Sequence, residues 1–177
     1  MKPRLLLLAL VCIFRAHSNA AAAPRPSTIF ILADDMGWGD PNCYGNSRIQ
    51  TPNLDRLAKQ GTLFEQFYVC GSVCSPSRAA FMTGQFPARL AVHSAIGAPD
   101  ANKAKTITDW LDPKVPTVTL LLKQAGYATA HFGKWHLGIG AKAPKPDAYG
   151  IDAGRRTWFW PGDKRPTKAD RALRTQD

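Results

Sequence analysis

The chain has 177 residues, 45% of them hydrophobic, and this length and composition suit one domain with an apolar core. Its formal net charge of +10 fits nucleic acid, a membrane surface or an anionic substrate as the partner. The sequence contains no recognisable nucleic-acid-binding module, so we expect no nucleic-acid partner.

The first 23 residues have the pattern of a secretory signal peptide. Lys2 and Arg4 precede an apolar run over residues 5–14, and small residues at positions 18–23 suit cleavage. The run is too short to favour a membrane span, so we expect no stable membrane anchor, with an uncleaved anchor as the alternative. We therefore expect an exported protein, which is periplasmic, extracellular or lysosomal depending on its source.

An apolar, β-rich run over residues 27–33 predicts a strand that is buried on both faces of a parallel sheet. Asp34 and Asp35 follow at the carboxyl end of that strand, where open α/β sheets place their sites. Two adjacent carboxylates repel each other and therefore need water or a cation. Their hard oxygen atoms suit Ca²⁺ or Mg²⁺. For an isolated pair, a solvated turn is the alternative interpretation.

A short helix is predicted between Thr51, its N-cap, and Gly61, its stop signal, with Pro52 in the first turn. Its apolar face, which we expect to serve packing, consists of Leu54, Leu57 and Ala58. Residues 62–69 alternate well enough between apolar and polar side chains to predict a strand.

The segment over residues 72–84 combines a reactive side chain, a helix start and a cation. Pro76 suits the first position of a helix and Gly84 suits its end. Cys74 then lies at or beside the helix N-terminus, where free N–H groups and the helix dipole favour a thiolate or a bound anion. Arg78 adds a positive charge about one turn further on. The alternative is a buried cysteine ahead of an ordinary helix.

A third helix is predicted over residues 115–126, with a proline near its start and a glycine at its end, and residues 127–132 predict the strand that follows. Helix followed by strand is half of an α/β unit. The strand leads to Lys134 and His136, whose side chains lie on the same side if the chain stays extended. On its own, such a Lys–His pair is more often a pair of solvent-exposed surface side chains than part of a catalytic site.

Three of these segments together resemble a known family. The sequences ADDMGWGD (33–40), CSPSRAAFMTG (74–84) and GYATAHFGKWHLG (126–138) are similar to the signatures of the type I sulfatases, members of the alkaline phosphatase superfamily. The resemblance covers about residues 27–151. It implies an α/β fold, a sandwich with a mixed central sheet flanked by helices.

Sulfatases run to several hundred residues, so the resemblance implies that this chain is a truncated, N-terminal portion. We expect a signal peptide over residues 1–23, the N-terminal part of the catalytic domain over residues 24–152, and an incomplete, basic and aromatic continuation over residues 153–177.

The resemblance also implies a nucleophile made from Cys74. In the family this cysteine is oxidised to Cα-formylglycine by a formylglycine-generating enzyme, and the hydrated aldehyde attacks the sulfate ester. Asp34, Asp35 and the converted Cys74 would bind one divalent cation, Ca²⁺ or alternatively Mg²⁺. Conversion of Cys74 leaves Cys43 and Cys70 either as a disulfide pair or as two free buried thiols.

The remaining matched positions would act on the same group. By resemblance, Arg78 and Lys134 stabilise the hydrate and the charge on the transferring group, and His136 contacts the hydrate and acts as the base in the second step. We therefore expect a sulfuric ester hydrolase that acts on a sulfated carbohydrate or aryl sulfate and needs the missing part of the protein for activity. The alternatives are a non-catalytic module that binds sulfated or acidic glycans, and a phosphonate or phosphodiester hydrolase with the same nucleophile.

Overall fold

The computed structural model describes residues 25–156. The chain divides into two compact units after Met36. The predicted signal peptide, residues 1–23, lies outside the described residues, as does the predicted continuation beyond residue 156.

The described part of the first unit, residues 25–36, contains neither helix nor strand. Ile29 is 85% exposed and Ile31 is 82% exposed. The predicted buried strand over residues 27–33 is therefore wrong for this structure. A strand needs a hydrogen-bonded neighbour, and the only strand ladder within residues 25–156 joins two segments much later in the chain.

The described part of the second unit contains four α-helices: α1 (Pro52–Gln60), α2 (Cys74–Thr83), α3 (Pro99–Ala104) and α4 (Val118–Gln124). Two strands and three short 3₁₀ turns complete its regular structure: β1 (Ala130–Gly133), β2 (Ala153–Arg156), Asn42–Tyr44, Pro87–Leu90 and Pro146–Tyr149. The longest of these helices, α2, has 10 residues. No helix within residues 25–156 is long and apolar enough to cross a membrane.

Helix α1 has the predicted boundaries but not the predicted packing. Thr51 is its N-cap and Gly61 follows its last residue. The Thr51 hydroxyl donates to Asp55 Oδ1 at 2.9 Å and accepts the backbone N–H of Asn42 at 2.9 Å, so it ties α1 to the preceding 3₁₀ turn. The predicted apolar face consists of Leu54, Leu57 and Ala58, and none of these side chains is buried. Leu57 is 62% exposed.

The segment after α1, residues 62–69, is irregular rather than a strand. The Tyr44 hydroxyl donates to the Phe64 carbonyl at 3.0 Å, but no described strand lies alongside to form a ladder. The strand prediction was therefore wrong, because alternation of side chains does not supply the hydrogen-bonding partner that a strand requires. The large side chains that remain exposed are Phe64, Phe67, Tyr68 and Val69.

Helix α2 begins at Cys74, so this residue lies at the helix N-terminus as expected, but Pro76 is the third residue of the helix and not the predicted first. The missing N–H of Pro76 costs no helical hydrogen bond at that position either. Gly84 ends the helix, because its φ of +65° is left-handed and its N–H donates to the Ala80 carbonyl at 2.8 Å. Six of its ten residues are buried: Ser75, Pro76, Arg78, Ala79, Ala80 and Met82.

Helix α4 and strand β1 confirm the predicted order of helix and strand. Thr117 caps α4, because its Oγ1 accepts the Leu120 N–H at 3.2 Å. β1 pairs in parallel with β2, with Ala130 opposite Ala153. These two strands form the only sheet in the described part of the chain, so the predicted mixed central sheet is not observed there.

The apolar core of the second unit lies against the buried face of α2. The rings of Trp135 and Tyr149 lie 5.1 Å apart within it. Burial, with the Asp112 carboxylate adding to it, raises the pKa of Tyr149 well above its usual value of 10.0, so this hydroxyl stays a donor. Because Trp135 and Leu137 are both buried here, they anchor the loop that follows β1. The core side chains are Ala79, Met82, Val92, Ile96, Ile107, Leu111, Trp135, Leu137, Tyr149 and Ile151.

Candidate active site

Cys74 and Lys134 meet at the start of α2. Cys74 is the first residue of the helix and is half-buried. β1 ends at Gly133, so Lys134 is the first residue of the loop beyond the strand, and its Nζ donates to Cys74 Sγ at 3.0 Å. An ammonium group at this distance, together with the helix N-terminus, stabilises negative charge on whichever atom occupies the Sγ position.

Arg78 holds the backbone beside this contact. It lies one turn after Cys74 on α2 and is only 5% exposed. Its Nη1 donates to the Lys134 carbonyl at 2.5 Å. This charge-assisted bond fixes the peptide group of the residue whose side chain reaches Cys74.

His136 is buried and does not lie in an extended segment. Its φ is +54°, in the left-handed region that residues other than glycine rarely adopt. Its Nε2 lies 2.9 Å from the Ile96 carbonyl, whereas Lys134 extends to Cys74. The expectation that Lys134 and His136 share one side held only for an extended chain, and the backbone turn at His136 removes that condition.

Ser75 is a site residue that sequence reasoning missed. Its side chain is completely buried, and its Oγ donates to the His136 carbonyl at 2.8 Å. The same Oγ accepts the Ile96 N–H at 3.0 Å. No local signal reveals these contacts, because His136 lies 61 positions from Ser75 and Ile96 lies 21 positions from it.

His131 on β1 is a second residue that sequence reasoning missed. Its ring lies edge-on to the Trp135 ring, with 5.3 Å between the ring centroids. Its Nε2 lies 3.3 Å from the Lys134 carbonyl, which also accepts the hydrogen bond from Arg78. Burial lowers the pKa of His131 below its usual value of 6.5, and the positive charge of Arg78 lowers it further, partly offset by the bond to Lys134. The imidazole is therefore favoured in its neutral form beneath the Lys134 peptide group.

Asp34 and Asp35 belong to the first unit, where both are exposed. Asp35 has a left-handed φ of +59°, which aspartate tolerates better than most residues. Their oxygens fit a hard divalent cation, but two carboxylates supply only part of the six to eight oxygens that Ca²⁺ prefers. The thiol of Cys74 is a soft ligand and does not suit such an ion, whereas an oxygen at that position would. The donor chemistry thus fits the predicted metal only if Cys74 is converted.

The cysteines show no disulfide within residues 25–156: Cys43, Cys70 and Cys74 are all free thiols. Cys43 is half-buried and Cys70 is exposed. The paired alternative for Cys43 and Cys70 is therefore not observed, and the buried alternative does not describe Cys70.

Comparisons with known proteins give a consistent result. The sulfatase family model matches residues 26–169. Steryl-sulfatase of Mus musculus is 42% identical over 151 residues, which is 80% of this chain and 24% of that protein. Arylsulfatase A of Homo sapiens is 41% identical over 138 residues, 78% of this chain and 25% of that protein. N-acetylgalactosamine-6-sulfatase of Sus scrofa is 40% identical over 152 residues, 85% of this chain and 28% of that protein.

This chain also resembles a solved structure whose title concerns the metabolism of multiple glycosaminoglycans by Bacteroides thetaiotaomicron, with a TM-score of 0.64 and 35% sequence identity. The alignment covers 73% of this chain and 28% of the solved chain. The chain therefore spans about a quarter of the length of the curated relatives that it matches. Both the sequence match and the structural likeness extend over most of this chain. It belongs to the sulfatase family and carries part of the α/β sulfatase fold.

Proposed function

We propose that this chain carries the nucleophile side of a sulfuric ester hydrolase, which releases sulfate from a sulfated carbohydrate or an aryl sulfate. The observation that carries the proposal is the 3.0 Å contact between Lys134 Nζ and Cys74 Sγ at the first residue of α2. The family membership supports the reaction class. The names of the relatives, which cover steryl, aryl and N-acetylgalactosamine 6-sulfates, support a sulfated substrate without selecting one.

The proposed nucleophile is a Cα-formylglycine hydrate, made from Cys74 by a formylglycine-generating enzyme. One hydroxyl of the hydrate attacks sulfur and the alcohol leaves. The second hydroxyl then gives up its proton, the carbonyl re-forms and sulfate departs. A half-buried position beside an ammonium group suits this role, because negative charge develops there in both steps.

The residues around Cys74 would divide the work. Lys134 holds negative charge at the reacting oxygen, and Arg78 keeps Lys134 in place through its carbonyl. His136 would take the proton in the second step, a task that suits an imidazole near neutral pH.

Asp34 and Asp35 would hold one divalent cation, with Ca²⁺ preferred and Mg²⁺ as the alternative, on the chemistry of their oxygens. Such an ion would supply Lewis-acid chemistry at the sulfuryl group and at a bound hydroxyl. The excess of Lys and Arg, 23 against 13 Asp and Glu, lies mostly beyond residue 23 and supports an anionic substrate, and the pattern of residues 1–23 supports export.

The proposal is tested on the protein purified from its native source. Mass spectrometry of the peptide that contains position 74 should show the aldehyde, through loss of sulfur and two hydrogens and gain of one oxygen. The protein should release sulfate from a chromogenic aryl sulfate, and this activity should be lost when a chelator removes the metal ion. An unmodified thiol with no turnover would support a non-catalytic glycan-binding module instead. Release of phosphate, but not sulfate, from matched esters would indicate a phosphonate or phosphodiester hydrolase.

A further inference from the structure

A closed ring of hydrogen bonds links three buried residues beside Cys74. The Ile96 N–H donates to Ser75 Oγ at 3.0 Å, and Ser75 Oγ donates to the His136 carbonyl at 2.8 Å. The ring closes where His136 Nε2 meets the Ile96 carbonyl at 2.9 Å. Ser75, Ile96 and His136 are 0%, 1% and 6% exposed, so water does not compete for these bonds.

The direction of each bond in this ring is determined. A backbone N–H can only donate, so Ser75 Oγ must accept from Ile96. The single hydroxyl hydrogen is then available for the His136 carbonyl, which can only accept. The Ile96 carbonyl also can only accept, so Nε2 of His136 must carry a hydrogen. In the neutral ring, the basic lone pair therefore lies on Nδ1.

The same bonds support an unusual backbone conformation. His136 has a φ of +54°, and such conformations persist only where the surroundings hold them. The Ser75 hydroxyl donates a hydrogen bond to the carbonyl of His136, and the Ile96 carbonyl accepts one from the His136 ring. Because one residue, Ile96, bonds both the Ser75 hydroxyl and the imidazole, loss of the hydroxyl releases both the backbone and the ring partner.

We propose that Ser75 is a positioning residue for His136: its hydroxyl holds the His136 backbone and the Ile96 peptide in the arrangement that fixes the imidazole as the Nε2–H tautomer and leaves the basic lone pair of the neutral ring on Nδ1. The catalytic part of this inference rests on the proposed function, whereas the tautomer does not. The two parts are therefore tested by different readouts.

The first readout is independent of activity. In the full chain labelled with ¹⁵N-histidine, long-range ¹H–¹⁵N correlation spectra report which ring nitrogen carries the hydrogen, and His136→Gln assigns the signals. The native protein should show the Nε2–H pattern for His136 above its titration range. Ser75→Ala should shift both ¹⁵N resonances toward the average of two tautomers, and Ser75→Thr, which keeps a hydroxyl, should restore the native pattern.

Ser77→Ala is the matched control. Ser77 lies two residues further along α2, and its hydroxyl donates to the Gly71 carbonyl at 2.6 Å, so this change also removes one hydroxyl bond from the helix. It should leave the His136 spectrum unchanged. A native His136 with hydrogen on Nδ1 overturns the proposal even if Ser75→Ala fails to fold. An unchanged spectrum in a folded Ser75→Ala protein overturns it as well.

The second readout is turnover of the holoenzyme, divided by the fraction of aldehyde at position 74 so that poor conversion is not mistaken for slow chemistry. Ser75→Ala should lower kcat about tenfold or more with little change in KM, a share of the 10²- to 10⁴-fold that a positioned general base contributes. A native tautomer pattern without any sulfate release would contradict the proposed function and leave the positioning role standing. A normal kcat in Ser75→Ala would contradict the catalytic part of the inference.

Discussion

Arg78 reaches Lys134 through the main chain: its Nη1 donates to the Lys134 carbonyl at 2.5 Å, while Lys134 Nζ lies 3.0 Å from Cys74 Sγ. The carbonyl of Lys134 bonds the guanidinium, while the side chain of the same residue carries the ammonium to Cys74. The buried guanidinium thus fixes the backbone of the residue whose ammonium reaches Cys74.

Arg78→Lys should destabilise the protein although it keeps the positive charge. A lysine cannot reproduce the planar donor that meets the Lys134 carbonyl, and a lost bond of this charged type costs about 1.5–3 kcal/mol of unfolding free energy. Urea denaturation followed by circular dichroism measures the change. Arg89→Lys, in the exposed part of the Pro87–Leu90 turn, is the control and should change stability by less than about 0.5 kcal/mol. Equal losses in the two variants would show that the Lys134 carbonyl bond contributes nothing.

Lys134→Met should slow alkylation of an unconverted Cys74. The ammonium lies 3.0 Å from Sγ and places a positive charge beside the reacting sulfur, so we expect the alkylation rate to fall when this group is removed. Mass spectrometry resolves the Cys74 peptide from those of Cys43 and Cys70, which are also free thiols. Lys123→Met, which removes an exposed ion pair with Asp152, should leave the Cys74 rate unchanged. Faster alkylation of Cys74 in the Lys134→Met variant would indicate that the Lys134 side chain mainly shields the sulfur from the reagent.

The stability of the native protein should rise with pH in the window just below 6.5. Because folding lowers the pKa of His131, through burial first and Arg78 next, the unfolded chain binds more protons there. Stability is therefore lost as pH falls, with a slope of at most about 1.4 kcal/mol per pH unit for one proton. Denaturation from about pH 5 to about pH 7.5 measures it, and His131→Gln should flatten the profile. A slope in His131→Gln as steep as in the native protein would refute the assignment.

Gly150→Ala should be strongly destabilising, whereas Gly45→Ala should not. Gly150 has a φ of +79°, and a Cβ there would overlap the Leu120 backbone, 2.7 Å from its nitrogen. Strain and overlap together should cost at least about 2–4 kcal/mol. Gly45 has a φ of +97° with nothing within 4 Å, so its alanine should cost only about 1–2 kcal/mol. Thermal unfolding compares the two, and similar melting temperatures would show that Leu120 moves aside easily.

Local signals predicted the elements that depend on local chemistry. The place of Cys74 at the N-terminus of α2, the end of α2 at Gly84 and the N-cap position of Thr51 were confirmed, because caps and turns are determined by a few neighbouring residues. The predicted first helical residue, Pro76, is the third. The motif resemblance also pointed to Lys134 as a site residue, and in the structure its Nζ contacts Cys74 Sγ. The proposed roles of Asp34 and Asp35 depend on that resemblance and on the chemistry of their oxygens.

Predictions that required a distant partner were less successful. The apolar run over residues 27–33 and the alternation over residues 62–69 are strand-like, yet neither segment has a ladder partner among the described residues. A strand is a property of two segments, and hydrophobic pattern describes only one of them.

The sequence by itself determined the family and the helix that has Cys74, the proposed nucleophile, at its N-terminus, because these depend on residue types at short spacing. Only the tertiary structure joined Ser75, Ile96 and His136, which are far apart in the chain. Hydrogen-bond direction and backbone strain arise when such segments meet in a dry interior, and no spacing rule encodes that meeting.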